Sequence, residues 1–336
     1  MTSLIDFSYS TYLCVRNTHK MTITQLKYVL VVAEYKNFTR AAEKIFVTQP
    51  TLSMQIQKLE EELDILIFDR STKPLKLTAI GEKIIAQARK IVAEAERMQD
   101  VVDQDKGYVG GEFKLGIIPT VMPTLLPMFL KTFAKRHPKV HLKIEELNTH
   151  DIIKKLNEGH LDAAIAATPL VNEFISERVI YYEPFVGYIP ENHRLFEKKN
   201  LTVEDLDLND ILLLEDGHCF RDGIINLCQT FKKHTEDTFQ LESGSFETLI
   251  KLVNEGLGMT LLPYLHTLDI KETERKNLRH FLAPQPAREV SIIQNKSELK
   301  PQIVNALYDV ISGIVRGAIA FQDVKIISPV KNKRAY

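Results

Sequence analysis

Two of the three cysteines in this 336-residue chain, Cys219 and Cys228, stand nine positions apart. Cys219 follows His218 directly and precedes Arg221 by two positions. A cysteine reacts as its thiolate, and a neighbouring cation or a helix N-terminus lowers the pKa that sets the thiolate fraction. The sequence therefore predicts a reactive thiol at Cys219, with a pKa lowered by His218 and Arg221.

The segment between the two cysteines shows a helical spacing. Apolar side chains recur every three or four positions: Ile224, Ile225, Cys228 and Phe231. This spacing predicts a helix after Asp216. Nine helical steps rise about 13 Å, whereas a disulfide needs Cα atoms within about 7 Å. Closing a bond from Cys219 to Cys228 would therefore unwind the helix, and Gly223, which costs about 1 kcal/mol in a helix interior, would ease that change.

The residues alone leave two interpretations of this pair open. In one, the pair is a redox switch whose oxidation passes through a sulfenic acid to a disulfide. In the other, Cys219 is a surface thiol and Cys228 packs on an apolar helix face. A metal site is disfavoured because His218 and Cys219 are adjacent, whereas tetrahedral sites use well-spaced ligand pairs. We expect neither a metal nor a cofactor.

The composition is that of an ordinary soluble protein, with 44% hydrophobic and 26% charged residues. The length permits two or three domains. The formal net charge of -1 is no general sign of nucleic-acid binding, so a DNA-binding surface would have to be local. We find no apolar run long enough to span a membrane, no secretory pattern in residues 1–20 and no disulfide framework, so we expect a cytoplasmic protein.

Residues 24–63 have the spacing of a helix-turn-helix. A helix at 24–35 is followed by a short second helix, and Thr48 caps a third helix with Pro50 in its first turn. The outer face of the third helix presents groups suited to base edges and phosphates. These are Thr48, Gln49, Pro50, Thr51, Ser53, Met54, Gln55 and Lys58. The alternative is a helical bundle with a solvated polar face.

Two elements follow the third helix. The apolar runs at 66–68 and 75–77 predict a two-stranded wing, whose cations Arg70 and Lys73 would reach phosphates or the minor groove. After Thr78, a long helix carries a heptad seam. The seam residues are Ile84, Ala88, Ile91, Ala95, Met98 and Val102. A seam needs a partner helix, so we expect a dimer, which suits paired DNA half-sites; the alternative is packing against the chain's own second domain.

Beyond the linker glycines Gly107, Gly110 and Gly111, strands and helices alternate, which predicts a parallel sheet in two lobes around a cleft. Strands are predicted at 114–118, 140–144, 161–167, 179–189, 211–214, 259–262 and 290–293, and helices at 122–136, 150–158, 246–254 and 301–316. Thr120 follows the first strand. Asn148 and Thr149 precede the second of these helices, where they either cap it or face the cleft.

The motifs FTRAAE at 38–43 and QPTLSMQI at 49–56, the linker helix and the two-lobed second half together resemble LysR-type transcriptional regulators, over residues 21–320. Further motifs resemble the members of that family that sense hydrogen peroxide. They are LEDGHC at 214–219 with Cys228, GIIPT at 116–120, TH at 149–150, ETL at 247–249 and GMTLLP at 258–263. The Gln294-Asn295 pair departs from the family's usual continuation.

The resemblance implies a multidomain α+β fold with a winged helix-turn-helix at 21–78, a dimerising linker helix at 79–106 and a redox-sensing effector domain at 107–323. The effector domain would have two α/β lobes, like a periplasmic binding protein. An extension at 1–20, which holds Cys14, and a basic tail at 324–336 lie outside the resemblance.

The resemblance also implies roles for individual residues. Cys219 would be the peroxidatic thiol and Cys228 the resolving one, and their reversible disulfide would be the switch. A peroxide pocket would be lined by Thr120, Thr149 and His218. Supporting positions would be Arg221, Asp222 and Arg288, the last where the family has a basic residue near the switch.

The implied function is an activator of oxidative-stress genes that responds to hydrogen peroxide and is not an enzyme. Its implied partners are double-stranded promoter DNA, other copies in a homodimer or homotetramer, RNA polymerase, and a thiol reductant such as glutaredoxin or thioredoxin. One alternative is a LysR-type regulator that responds to a small metabolite in the interlobe cleft. Another is a thiol peroxidase, which the helix-turn-helix and the heptad helix disfavour.

Overall fold

A computed structural model of the chain describes residues 21–105, 109–228, 243–296, 300–319 and 324–330. The chain divides between Arg97 and Met98 into two compact units. Within the described residues, no helix combines the length and apolarity needed to cross a membrane. The predicted fold class is confirmed, with a winged helix-turn-helix, a long helix and a two-lobed α/β portion.

The first unit is built from helices and a short wing. Its elements are α1 (Ile23–Tyr35), α2 (Phe38–Lys44), α3 (Gln49–Leu63), β1 (Phe68–Asp69), β2 (Lys76–Leu77) and α4 (Ala79–Asp105), which runs past the division. Polar caps set two helix starts, because Asn37 Oδ1 accepts from the Arg40 N–H and Thr48 Oγ1 accepts from the Thr51 N–H. The predicted helices and the predicted cap at Thr48 are thus confirmed.

A buried carboxylate holds the wing to α3. Glu60 is 4% exposed, and its Oε1 accepts hydrogen bonds from the N–H groups of Ile67, at 2.7 Å, and Phe68, at 3.2 Å. Its Oε2 accepts from Arg70 Nη2 at 2.7 Å. These bonds fix the position of the antiparallel pair of β1 and β2 against α3.

The apolar side chains of α4 divide between two surroundings. Ile85, Ala88 and Val92 are buried in the core of the first unit, whereas Met98 is 73% exposed and Val102 is 42% exposed. Ala88, which the sequence places on a seam toward a partner, is 1% exposed within its own unit. That part of the seam prediction is wrong, because the three buried residues form one stripe at helical spacing against the helix-turn-helix.

The second unit alternates strands and helices. Its elements are β3 (Gly111–Ile117), α5 (Met122–Arg136), β4 (Val140–Glu146), α6 (Thr149–Asn157), β5 (Ala163–Thr168), β6 (Ile175–Tyr188), β7 (Asn200–Leu201), 3-10 turns at Val203–Asp205 and Leu208–Asp210, α7 (Cys219–Leu227), α8 (Phe246–Asn254), β8 (Thr260–Pro263), α9 (Tyr264–Thr267), a 3-10 turn at Glu272–Asn277, β9 (Leu278–Phe281), β10 (Gln285–Asn295), α10 (Pro301–Ala318) and β11 (Val324–Ile326). The strand predicted at 211–214 is reduced to one bridge between Ile211 and Met259.

Two hydrophobic cores define the two lobes. The first lobe surrounds a core that includes Phe113, Phe129, Ile165, Ile292 and Leu307. The second lobe surrounds a core that includes Tyr188, Leu201, Leu249, Met259 and Leu261. Strand β6 belongs to both lobes, because residues 175–184 pair with β10 and residues 185–188 pair with β8 and β9.

The sheet is mixed rather than parallel throughout. Strand β3 lies parallel to β4 and β5, as predicted. Strand β10, however, is antiparallel to both β5 and β6. The parallel prediction fails there because β10 is reached after the chain has built the second lobe, and not by a direct crossover from β5.

Residues 324–330, which the sequence assigns to a basic tail, belong to the folded second unit. Strand β11 pairs in parallel with the first residues of β10. Ile327, the next residue, is 9% exposed in the core of the second lobe. Residues 1–20 with Cys14, and residues 331–336, lie outside the described residues.

Candidate functional site

Helix α7 places the two cysteines of interest at its opposite ends. Cys219 is its first residue, and Cys228 directly follows its last, with the Cys228 N–H donating to the Ile224 carbonyl at 3.0 Å. The predicted helix is confirmed from Cys219 to Leu227, whereas Phe231, which the prediction also assigned to it, lies outside the described residues. The length of the helix keeps the cysteines about 13 Å apart. Both thiols are free and buried, with Cys219 9% exposed and Cys228 6% exposed. The interpretation of Cys219 as a surface thiol is therefore wrong.

A tight turn delivers Cys219 to the start of the helix. Gly217 has a φ of +96°, a conformation that L side chains rarely adopt. Arg221 closes the turn, because its Nη1 donates to the Leu214 carbonyl at 2.9 Å and its Nε lies 2.9 Å from Asp216 Oδ1. Arg221 therefore shapes the turn that presents the thiol.

The helix crosses from one core to the other. Cys219 packs in the core of the first lobe, whereas Phe220 and Cys228 pack in the core of the second. The Phe220 ring makes edge contacts with Phe185 and Phe246, each with centroids 5.1 Å apart. Any change in this helix therefore alters packing in both lobes.

A buried ion pair lies beside Cys219. Arg288 is 3% exposed and Glu183 is 1% exposed, and Arg288 Nε and Nη2 lie 2.9 and 2.8 Å from Glu183 Oε2. Arg288 also donates through Nη1 to Thr120 Oγ1 at 2.9 Å and through Nη2 to the Thr120 carbonyl at 3.0 Å. Its guanidinium carbon lies 5.2 Å from the centre of the Phe220 ring. These contacts hold one cation in a fixed position next to the start of α7.

Burial raises the pKa of the Cys219 thiol above its ordinary value. The positive charge of Arg288, and then the Thr149 hydroxyl, oppose this by stabilising the thiolate. The expectation of a lowered pKa is wrong, because the cost of burying a thiolate outweighs both groups. Neither His218 nor Arg221 is among the described groups that shift this pKa; Arg288 supplies the cation instead.

Two threonines lie at the carboxyl ends of neighbouring parallel strands. Thr120, 3% exposed, follows β3. Thr149, which comes after β4, is the first residue of α6, and the helix cap is Asn148, whose Oδ1 accepts from the Asp151 N–H at 2.9 Å. The buried Thr149 Oγ1 has no hydrogen bond of standard geometry within the described chain. Its proton is therefore available to the neighbouring sulfur.

His218 and Asp222 lie on either side of Cys219 in the chain. His218 occupies the cap position of α7, and its Nε2 lies 3.6 Å from Glu215 Oε1. A Cβ added at Gly244 would come within 3.2 Å of that nitrogen, so the imidazole is closely packed on this side. The negative charge of Asp222 adds to burial in raising the pKa of Cys219.

The second thiol is also held in its neutral form. Burial, assisted by the negative charge of Asp207, raises the pKa of Cys228 to about 12. At pH 7 about one Cys228 side chain in 10⁵ is then ionised. Cys228 is thus a poor nucleophile while α7 is intact.

Two groups at this site escaped the sequence prediction. Glu183 and Tyr181 alternate on β6, and a carboxylate inside the otherwise apolar and aromatic run 179–188 is the one sequence signal that points to Glu183. The Tyr181 hydroxyl is buried without a hydrogen-bond partner among the described residues. Its burial, with the nearby charge of Glu183, raises the pKa of Tyr181 well above the usual range. Nothing in the sequence near residue 181 pairs either group with Arg288, 105 positions beyond Glu183.

The first unit presents the predicted DNA-contacting residues on its surface. Those that are exposed are Thr48, Gln49, Pro50, Thr51, Met54, Lys58, Arg70 and Lys73, and those that are half-buried are Ser53 and Gln55. Arg70 differs from Lys73, because it is bonded to Glu60 and stacks over Phe38 at 5.5 Å. Lys73 lies at the exposed tip of the wing.

Two family models match the chain. One, described as the LysR substrate binding domain, matches residues 106–313, which is more than half of the chain. The chain belongs to the LysR family. The second model, described as a bacterial regulatory helix-turn-helix protein of the lysR family, matches residues 13–82 and begins inside the segment predicted as an extension. This LysR-type chain is therefore a DNA-binding transcriptional regulator and not an enzyme.

Individual relatives of this LysR-type regulator are similar over most of their length. The hydrogen peroxide-inducible genes activator of Pectobacterium carotovorum subsp. carotovorum is 33% identical over 275 residues, which are 81% of this chain and 90% of that protein. The structure of a full-length OxyR variant from Pseudomonas aeruginosa has 35% identity and a TM-score of 0.72, covering 88% of this chain and 95% of that one. A hydrogen peroxide-bound OxyR mutant from Corynebacterium glutamicum has 27% identity and a TM-score of 0.60, covering 90% and 98%. The predicted resemblance to peroxide-sensing members is confirmed.

Proposed function

We propose that this LysR-type regulator senses hydrogen peroxide through a reversible Cys219–Cys228 disulfide and thereby activates oxidative-stress genes. The observation that carries the proposal is the position of the two thiols at opposite ends of α7, a helix that packs in both lobes. The named activity of the Pectobacterium relative and the peroxide bound to the Corynebacterium OxyR mutant support the choice of oxidant.

The first step is attack of the Cys219 thiolate on one oxygen of hydrogen peroxide. The S–O bond forms as the O–O bond breaks, sulfur loses two electrons, and the departing hydroxide takes a proton and leaves as water. Arg288 supports this step because its fixed charge favours the thiolate. Asp222 opposes it weakly by its like charge.

Two threonine hydroxyls are suited to hold the peroxide. Thr120 Oγ1 accepts from Arg288 at 2.9 Å, so its own proton is directed elsewhere and can donate to a peroxide oxygen. Thr149 Oγ1 is buried beside the sulfur without a standard hydrogen bond within the described chain. In this proposal His218 adds a donor for the departing oxygen after turning from Glu215, and Arg221 keeps the turn in place.

The second step closes the disulfide. Cys228 sulfur attacks the sulfenic sulfur, the S–S bond forms, the S–O bond breaks, and hydroxide leaves with the proton of the Cys228 thiol as a second water. In total, two thiols and one hydrogen peroxide give one disulfide and two waters. The step requires α7 to open, because the Cα atoms must approach from about 13 Å to within about 7 Å. Opening also exposes Cys228, which returns its pKa toward the ordinary value and raises its thiolate fraction.

The readout would be a change in DNA binding. Packing of α7 in two cores links its opening to both lobes, and the exposed Met98 and Val102 on α4 suit pairing with a second copy as a dimer or tetramer. The exposed residues of α3 and Lys73 would contact promoter DNA with paired half-sites. RNA polymerase would be the downstream partner, and glutaredoxin or thioredoxin in the cytoplasm would return the disulfide to two thiols.

The test combines thiol trapping with footprinting. Reduced protein is treated with stoichiometric hydrogen peroxide, alkylated, digested and analysed for a peptide that links Cys219 to Cys228. We expect that crosslink and a changed footprint in the unmodified chain, and neither in Cys219→Ser. A chain that forms no such disulfide, or a Cys219→Ser variant whose footprint still responds to peroxide, would refute the proposal and favour a metabolite as the signal.

A further inference from the structure

The end of α7 that bears Cys228 is tied to segment 324–330 by one side chain. Asn226 Nδ2 donates to the Ser328 carbonyl at 2.9 Å and to the Val330 carbonyl at 2.8 Å. An amide NH₂ group has two protons, so both are used. Asn226 thus fastens the last turn of the helix to a segment about 100 residues away in the sequence.

Segment 324–330 is itself anchored at the other side of the site. Its strand β11 pairs with Gln285–Ala287 of β10, and the Ile327 N–H donates to the Ala287 carbonyl at 2.8 Å. The next residue of β10 is Arg288, which faces Cys219. Ile327 is also buried in the core that contains Cys228. The segment therefore connects the strand beside the first thiol with the helix end beside the second.

We propose that Asn226 is a positioning residue for disulfide closure, and that segment 324–330 acts through it to hold α7 in the reduced conformation. The inference rests on the proposed Cys219–Cys228 disulfide and names a residue that sets how readily it forms. Closing that bond unwinds the helix at the Cys228 end, which moves Asn226 away from the Ser328 and Val330 carbonyls. Both hydrogen bonds must then break.

In this role Asn226 affects disulfide closure but not the reaction with peroxide. The peroxide step takes place at Cys219, where Arg288, Thr120 and Thr149 act, and Asn226 lies seven positions along the helix from that thiol. Losing the two Asn226 hydrogen bonds should therefore leave sulfenic acid formation unchanged. It should favour closure, because less of the reduced structure has to be broken.

The experiment compares Asn226→Ala with the unmodified full-length chain. Alanine favours a helix more than asparagine does, so its intrinsic effect opposes helix opening. A shift toward the disulfide can then come only from the lost contacts to segment 324–330. We expect the equilibrium constant for disulfide formation, measured in glutathione redox buffers, to rise about fivefold, which corresponds to a reduction potential about 20 mV more negative.

Two further measurements identify the mechanism. Sulfenic acid formation in a Cys228→Ser background should proceed at the same rate with Asn226 or alanine at position 226. Hydrogen exchange should show that the side-chain amide protons of Asn226 are protected in the reduced chain and exchange faster after oxidation, when their bonds to the Ser328 and Val330 carbonyls are broken.

The outcomes distinguish this inference from the proposed function. If the unmodified chain forms no Cys219–Cys228 disulfide, the proposed function fails. If the disulfide forms but Asn226→Ala leaves its potential unchanged, or if the variant alters the peroxide step as much as closure, the inference is overturned. Equal protection of the Asn226 side-chain amide in both redox states would also overturn it.

Discussion

The Gly223→Ala variant tests directly whether helix α7 must unwind when the disulfide forms. Gly223 lies in the interior of α7, and a Cβ at this position would approach Phe185 Cζ at 3.8 Å, an ordinary van der Waals contact. Alanine therefore fits without displacing a neighbour. In a helix interior alanine is favoured over glycine by about 1 kcal/mol.

The effect on the redox equilibrium follows from which state contains the helix. Under the proposed mechanism α7 is intact only in the reduced state, so Gly223→Ala should stabilise that state by about 1 kcal/mol. Stabilising the dithiol makes the disulfide easier to reduce. The equilibrium constant for disulfide formation should fall about fivefold, and the reduction potential should rise by about 20 mV.

Gly313→Ala is the matched control. Gly313 lies within α10, nothing would lie within 4 Å of its Cβ, and α10 carries neither cysteine. Both variants should increase the free energy of unfolding of the reduced protein by a similar amount, but only Gly223→Ala should shift the potential in glutathione buffers. If Gly223→Ala stabilises the reduced protein and leaves the potential unchanged, α7 survives oxidation and the helix-opening mechanism is wrong.

Three further predictions concern the thiols and the wing. Thr149→Val removes a donor beside Cys219, so the thiol pKa should rise further and the rate of sulfenic acid formation at pH 7 should fall about tenfold in stopped-flow measurements. Cys228 has a pKa raised from 9.0 to about 12, so its contribution to the stability of the reduced fold is complete below pH 9 and is lost as the pH rises toward 12. Urea denaturation should show the reduced protein losing about 1.4 kcal/mol more than Cys228→Ala between pH 7 and pH 10. Lys73→Ala should weaken DNA binding and lower the salt dependence by about one phosphate contact without affecting stability, whereas Arg70→Ala should also destabilise the fold by about 1–3 kcal/mol.

Each of these predictions has a control. Thr124→Val removes a hydroxyl that donates to the Val121 carbonyl at 3.2 Å, so it should leave the peroxide rate unchanged. If Cys228→Ala lost as much unfolding free energy between pH 7 and pH 10 as the unmodified reduced protein, the pH dependence would not come from the Cys228 thiol. Equal stability of Arg70→Ala and Lys73→Ala would show that the fold tolerates the buried Glu60 carboxylate without its ion pair to Arg70.

The helix-turn-helix could be predicted almost to its boundaries because its signals are local. A cap such as Thr48 acts on an N–H three residues away, and the apolar spacing of α3 is set within one helix. The ranges that the sequence predicts for α5 and α8 match the observed bounds for the same reason. The prediction of a seam on α4 is less accurate, because one apolar stripe can face either the chain's own core or a second chain.

The electrostatics of the site could not be predicted from neighbours in the sequence. His218 directly precedes Cys219 and Arg221 follows it by two positions, yet Arg288 is the cation that acts on the Cys219 pKa, and that pKa is raised. Arg288 is itself held by Glu183, 105 positions away. Long-range packing brings these groups together and removes the water that would otherwise stabilise the thiolate.

The sequence by itself determined that two cysteines lie on one helix, that closing a bond between them conflicts with that helix, and that the chain carries a DNA-binding unit for the change to act on. These properties depend on spacing within short segments. The tertiary structure decided that α7 packs in both lobes, that Cys228 is almost fully protonated, and that Asn226 connects the helix to segment 324–330. The burial of the thiols, the Arg288–Glu183 ion pair and the Asn226 hydrogen bonds all depend on residues far apart in the chain. These electrostatic interactions become strong only when folding excludes water around them.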